Sequence, residues 1–266
     1  MRSPGAAFQL RAALSEEILG AMQELGSAEA RPKAMHRCRL HIKRARALAR
    51  VGRACAPGLS AVFNESARSI MHALAHSRDL VALAGAARDV ARRAPKKQRA
   101  ALNAVAESLD AQRAALPPLN LDAVRAGLRD LLALAQVWPE ASERQIAKGA
   151  ARVARRARRA CRRGRGADVA ARRHEWRKRE KDRLYAATLL SASWPNKRRK
   201  ACGEHLADLL GHERDALLLI DRLLLDETIA GRPKATTHAL TALKHECARL
   251  GRQADRIGRQ LHRGGA

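Results

Sequence analysis

Two short patterns of basic residues carry the chemistry in this chain of 266 residues. The first is His-x-x-Arg-x-x-x-Lys, present as His36, Arg39 and Lys43 and again as His174, Arg177 and Lys181. The second is Leu-x-His-x-Arg-Asp, present as Leu74, His76, Arg78 and Asp79 and again as Leu210, His212, Arg214 and Asp215. On a helix, the first spacing puts all three side chains on one face. A row of imidazole, guanidinium and ammonium groups recruits an anion. Phosphate suits it best, because its oxygens accept parallel bonds from the planar guanidinium fork.

The histidines have two readings: a hydrogen-bonded residue at a helix start, or a donor to phosphate. Their recurrence at the head of a basic row favours the donor, in which case binding should strengthen as pH falls through the histidine range. The Arg-Asp pairs, both placed at helix starts after a break, stay open between two roles. An Asp near a helix N-terminus is favourable with the dipole, which alone could explain it. Alternatively the Asp orients a stripe arginine while Arg78 or Arg214 contacts the ligand.

Other chemistry finds little support. His72 and His76 have i, i+4 spacing, but no carboxylate or cysteine joins them in sequence, so no metal site is expected. There is no nucleophile elbow, Walker glycine loop or carboxylate cluster for magnesium, so no catalytic residue and no cofactor is expected. The chain reads as a binding protein rather than an enzyme. An enzyme acting on phosphoanhydrides through His36 or His174 is a further class, against which the missing magnesium carboxylates count.

The elements that position these residues read as helices throughout. Ala, Leu and Arg dominate while β-branched and aromatic residues are few, which favours helix over strand. Breaks at Pro and Gly separate expected helices near 7–26, 31–55, 59–75, 77–92, 96–115, 119–136, 140–163, 168–193, 196–210, 213–228 and 234–262. The two patterns recur at offsets of 138 and 136 residues, in the same order. That argues for a duplicated unit, with 1–136 and 137–266 as its copies within one domain, and for two packed helical bundles related by a pseudo-two-fold axis.

On a wheel of about 100° per residue, His36, Arg39, Lys43, Arg46, Arg50 and Arg53 fall within one arc. Apolar residues flank it on both sides: Cys38, Ile42, Ala45 and Ala49 on one, Leu40, Ala47 and Val51 on the other. A solvated helix shows its charges opposite a single apolar stripe. A basic stripe between two apolar ones suggests a groove wall. The second copy repeats the arrangement with His174, Arg177, Lys178 and Lys181, and Glu175 and Asp182 are expected to point outward. In 140–163, Arg144, Lys148, Arg152, Arg155, Arg159, Arg162 and Arg163 gather on one face with Ile146, Ala150, Val153, Ala157 and Ala160 behind. Between residues 144 and 183 stand 17 basic and 4 acidic residues, a crowding that a bound phosphate would relieve.

The whole chain carries 53 Lys+Arg against 26 Asp+Glu, for a formal charge of +27. Its candidate partners are nucleic acid, an acidic membrane surface or another polyanion. The few aromatics, Phe8, Phe63, Trp138, Trp176, Trp194 and Tyr185, could hardly build a stacking platform for single-stranded bases. Phosphates therefore matter more than bases, although charge alone would suffice for non-specific binding of nucleic acid. The five cysteines form no C-x-x-C pair, which suits reduced thiols in a cytoplasm. Glu16 and Glu17 interrupt the only apolar run near the N-terminus, and Asp221 and Arg222 break the run from Leu217 to Leu225. Neither a secretory signal nor a membrane span is expected.

These residues resemble the CHAD family, the conserved histidine α-helical domain. His36-Arg37-Cys38-Arg39-Leu40-His41-Ile42-Lys43-Arg44-Ala45-Arg46 is similar to its first histidine motif. The stretch from His174 through Trp176, Arg177 and Lys181 to Tyr185 resembles the second more closely, and Leu209-Leu210-Gly211-His212-Glu213-Arg214-Asp215 is like the Leu-Gly-x-x-Arg-Asp element. The first copy departs from that element, with Ala75-His76-Ser77 in place of Leu-Gly, and Ala157 stands where relatives often carry an aromatic. The resemblance implies an all-α fold of two antiparallel bundles enclosing a basic central cavity that binds inorganic polyphosphate, without catalysis, in the cytoplasm at polyphosphate granules. The expected contacts are His36, Arg39, Lys43, Arg46, Arg50, Arg78, Lys148, Arg152, Arg155, Arg159, His174, Arg177, Lys178, Lys181 and Arg214. Nucleic acid is the weaker polyanionic alternative, no membrane partner is expected, and the oligomeric state is left open.

Overall fold

Helix starts and stops follow local chemistry. Pro57 and Pro233 open their helices at the first turn, where the missing N–H costs nothing. Ser142 and Gln145 form a reciprocal capping box: the Gln145 N–H donates to Ser142 Oγ at 3.3 Å, and the Ser142 N–H donates to Gln145 Oε1 at 2.9 Å. The helix carrying Arg152 therefore starts at Glu143 rather than near 140.

The structure is a computed structural model and describes residues 8–26, 32–117, 119–166, 170–194 and 199–263, with the backbone alone at 32 and 76–78. Ten α-helices account for nearly all of it: α1 (Leu10–Glu24), α2 (Pro32–Gly52), α3 (Pro57–Ala73), α4 (His76–Ala91), α5 (Lys96–Ala114), α6 (Asp122–Gln136), α7 (Glu143–Gly164), α8 (Ala170–Leu190), α9 (Lys200–Leu225) and α10 (Pro233–His262). Short 3₁₀ turns at Ser191–Ser193 and Glu227–Ala230 complete the set, and no strand occurs among the described residues. The all-helical class is as expected.

One expectation fails. The helices read as 196–210 and 213–228 are a single helix, α9, running through Gly211. Leu206, Leu209 and Leu210 before the glycine and Ala216, Leu219 and Leu223 after it are all buried, one apolar stripe continuing through the break. A glycine inside a helix costs only about 1 kcal/mol relative to Ala, which burial of that stripe outweighs. Arg214 and Asp215 are thus mid-helix, whereas Asp79 does lie in the first turn of α4.

By contacts the chain divides into two compact units, and each takes segments from both sides of the sequence seam. The first comprises the described residues of Met1–Ala75, Leu119–Arg159 and Lys178–Lys200. In it α1 packs on α2 and α6, and α3 packs on α2 and α6. Its core holds Leu14, Ile18, Ile42, Leu48, Phe63, Leu128, Trp138 and Val153, with Phe63 and Trp138 meeting edge to face at 5.9 Å. Within this unit α7 approaches α2 at Gly149, where an added Cβ would lie 2.1 Å from the Val51 carbonyl oxygen.

The second unit comprises the described residues of His76–Pro118, Ala160–Arg177 and Ala201–Ala266. There α5 packs on α4 and α10 around Ala84, Leu102, Val105, Leu109, Leu219 and Leu243. A smaller cluster surrounds the buried Trp176 with Leu206, Leu210, Leu250 and Ala254. Gly258 makes room for it: a Cβ there would lie 2.5 Å from the Trp176 ring.

Candidate functional site

The double-flanked stripe of α2 is real in the packing. Ala45 and Ala49 on one side and Ala47 and Val51 on the other are fully buried, which draws Arg46 and Arg50 partly out of water between them. Both arginines line a cavity of about 340 Å³ in the first unit. Its other walls are Arg53 of α2, Ser60, Asn64, Glu65 and Arg68 of α3, Arg152, Val153 and Arg156 of α7, and Arg179 and Asp182 of α8. Seven arginines thus face two carboxylates.

The imbalance shows in the individual groups. Burial pushes the Arg50 guanidinium down to about 10; Asp182 opposes this, while Arg46, Arg179 and Arg156 add to it by repulsion. Arg46 is also lowered, first by burial and then by Arg68 and Arg179, against the pull of Asp182 and Glu65. Arg50 Nη1 donates to the Arg46 carbonyl at 3.0 Å and lies 3.1 Å from Asp182 Oδ1. Arg179 Nη1 donates to Asp182 Oδ2 at 3.1 Å. Glu65 pairs with Arg68 at 3.1 Å, both well exposed. Arg46 Nε and Asn64 Oδ1 are buried with no hydrogen-bond partner among the described residues. Asn64 Oδ1 is an acceptor, but a buried donor normally finds a partner, so Arg46 Nε gives the cavity spare donor capacity beside its excess positive charge. Such an enclosure suits an anion with several oxygens.

A model of the CHAD domain matches residues 12–224. The chain belongs to the CHAD family. Among solved structures, PptA from Streptomyces chartreusis is similar to this CHAD chain over 94% of its length and 98% of PptA's own, with a TM-score of 0.66 and 15% sequence identity. At that identity the likeness speaks for the fold alone. A search of curated proteins found no match.

Of the contacts expected of this CHAD chain, Arg46, Arg50 and Arg152 come together in the cavity. The other expected residues of the first unit do not line it. His36 is exposed and Lys43 half-buried. Arg39 is buried, and its Nη1 donates at 2.7 Å to the Met71 carbonyl near the end of α3, a structural use of the charge. Lys148, Arg155 and Arg159 lie exposed on α7, with Ile146, Ala150, Val153 and Ala157 buried behind. Lys178 is exposed and Lys181 half-buried on the part of α8 that belongs to this unit.

In the second unit, Arg177 passes over Gly211, its Nε 4.0 Å from where a Cβ would stand, so the second histidine motif meets the Leu-Gly element of α9. His174 and Arg214 are both half-buried in that unit. The side chains of His76 and Arg78 lie outside the described residues. No group of three or more His, Cys, Asp or Glu able to hold a metal occurs among the described residues, and no helix there is long and apolar enough to cross a membrane.

One acidic residue departs from expectation. Asp182 does not point outward; its side chain is 15% exposed and turned into the arginines. Glu180 is wholly buried and paired with Arg183. Positive charge on α2, at Arg50, is the physical reason Asp182 turns inward, whereas the partner of Glu180 stands three residues on along its own helix. Sequence reasoning also missed Arg68, Arg156 and Arg179. Ser60, Asn64 and Arg68 recur every four residues on α3, and Arg179 stands three residues before Asp182, signals that i, i+4 and i, i+3 pairing makes readable.

Arg173 was passed over entirely. In the second unit it is buried, with Nε and Nη2 bonded to the Glu213 carboxylate at 2.8–3.2 Å, Nη1 bonded to Asp255 and to the Gly164 carbonyl at 3.0 Å, and its guanidinium 5.0 Å from the Trp176 ring centre. Burial works against its charge, but the two carboxylates more than offset this and raise it.

Proposed function

We propose that this CHAD protein binds inorganic polyphosphate without cleaving it, and that the arginine cavity of the first unit holds a stretch of the chain. The observation that carries the reading is the cavity itself, in which seven arginines outnumber two carboxylates and burial lowers Arg50 to about 10. A linear phosphate chain offers closely spaced charges with no bulky groups between them, which suits a narrow enclosure. The exposed row of Lys148, Arg155 and Arg159 on α7 would carry the chain beyond it. His36, Arg39, Lys43, Arg78, His174, Arg177, Lys178, Lys181 and Arg214 remain in the proposal as further contacts.

Non-specific binding of nucleic acid is the rival. Burial of Phe8, Phe63, Trp138, Trp176 and Trp194 supports polyphosphate over single strands, since a buried ring cannot stack on a base. Membership of the CHAD family supports the same choice, because the family's motifs imply polyphosphate. Residence in the cytoplasm at polyphosphate granules belongs to this proposal too.

Titration with labelled long-chain polyphosphate tests the reading. Replacing Arg50 and Arg152 together by Met should weaken binding at least ~10-fold, since each charge-assisted contact contributes about 1.5–3 kcal/mol. Incubation with magnesium or manganese should release no orthophosphate. Unchanged affinity in the double variant would remove the cavity from the account, and metal-dependent phosphate release would replace the binding role with an enzymatic one.

A further inference from the structure

We infer that Asp182 is a displaceable internal anion that holds the empty cavity together and sets how many linked phosphates a ligand needs to enter it. The inference rests on the polyphosphate reading and concerns the selectivity of the same cavity. Asp182 bridges two arginines of different helices, 3.1 Å from Arg50 of α2 and 3.1 Å from Arg179 of α8. Its side chain is only 15% exposed, whereas the other lining carboxylate, Glu65, is 64% exposed and paired with the equally open Arg68. Asp182 is therefore the anion in the cavity's interior and Glu65 belongs to its rim.

A carboxylate placed there does two opposing things. It neutralises part of the charge on Arg50 and Arg179, which stabilises the ligand-free protein. It also occupies the donors that a phosphate would use, and it repels any phosphate that arrives. Orthophosphate brings one cluster of charge and must displace a tethered rival from those donors at once. A chain of several phosphates can bond elsewhere first, including the buried Arg46 Nε that lacks a partner, and then compete with Asp182 at high effective concentration. The carboxylate therefore discriminates against short anions.

The alternative role is positional: Asp182 could simply aim Arg50 and Arg179 at the ligand. The two roles predict opposite signs. Affinities of the full chain for tripolyphosphate and for long-chain polyphosphate are compared between wild type, Asp182→Asn and Asp182→Ser, with folding checked by circular dichroism. Two substitutions of different size keep the test open should one fail to fold. Tripolyphosphate should bind about tenfold tighter to the variants, because a like charge beside the ligand is removed. Long-chain polyphosphate, which also reaches the exposed face of α7, should gain less. Weaker or unchanged tripolyphosphate binding in a folded variant overturns the inference, even where wild type binds long chains well. The converse pattern, no long-chain binding by wild type but a gain of tripolyphosphate by the variants, sinks the polyphosphate reading and the length selectivity with it, leaving Asp182 only as an anion that competes with phosphate. No binding of either anion by any form overturns both.

Discussion

The residues of this protein divide by what their charges already hold. Arg50 sits in the cavity with its affinity for a proton lowered to about 10 by burial and by neighbouring arginines. A bound phosphate favours the charged guanidinium and raises that value, so the complex retains a proton which the free protein loses near pH 10. The contribution of Arg50 to polyphosphate affinity should therefore be level between the histidine range and that pH, and fall as pH rises through about 10. Calorimetry at pH 8 to 11 would read this, with Arg50→Met as the comparison, since lysines titrate nearby as well. A fall of equal size in the variant would assign the effect to the lysines. Arg173 is the opposite case, its bonds spent on Glu213, Asp255 and the Gly164 carbonyl. Arg173→Met leaves the buried Glu213 carboxylate without its partner and should cost about 3–5 kcal/mol in urea unfolding. A loss below ~1 kcal/mol would show that the node relaxes into water. Both residues are arginines in strongly basic stretches, and sequence alone separates them poorly. Arg46, Arg50 and Arg152 were legible because each repeats at helical spacing beside buried alanines. Arg173 was not, because its partners Glu213 and Asp255 lie 40 and 82 residues away.

At the scale of elements, the helices were legible where proline or a capping residue marks an end, as at Pro57, Ser142 and Pro233. The continuous α9 was not, since Gly211 is a good break signal locally and only the burial of Leu210 and Ala216 overrides it. Spacing places Arg68 on one face with Ser60 and Asn64, and Arg179 beside Asp182, but that these faces meet α2 depends on how α3 and α8 pack against it, which periodicity does not carry. One glycine controls the spacing of the arginine-bearing helices. A methyl group at Gly149 would lie 2.1 Å from the Val51 carbonyl oxygen, backbone against backbone, so α7 must move away from α2 to accommodate it. Gly149→Ala should lower stability by about 1–3 kcal/mol, the usual cost of overpacking. It should also weaken polyphosphate binding by separating Arg152 from Arg50. Thermal unfolding and titration of the same sample check both; a variant as stable and as tight as wild type would deny the close approach.

At the scale of the whole molecule, a formal charge of +27 ensures that almost any polyanion will bind at low salt. Attraction of that general kind decays steeply as salt rises, because it rests on counterion release. The cavity is different in kind, since its donors are partly buried and screened less than exposed charges. The central claim is thus a claim about what survives salt. Competition between labelled long-chain polyphosphate and duplex DNA or RNA, followed across a salt series, tests it most directly, with Arg50 and Arg152 both replaced by Met as the control. A charge swap at Arg39 would serve poorly, because that side chain holds the end of α3. Polyphosphate should stay bound at salt concentrations where both nucleic acids dissociate, and the double variant should lose this advantage. Equal competition by DNA, with the double variant binding as wild type does, would contradict it and leave the arginines as a general basic surface.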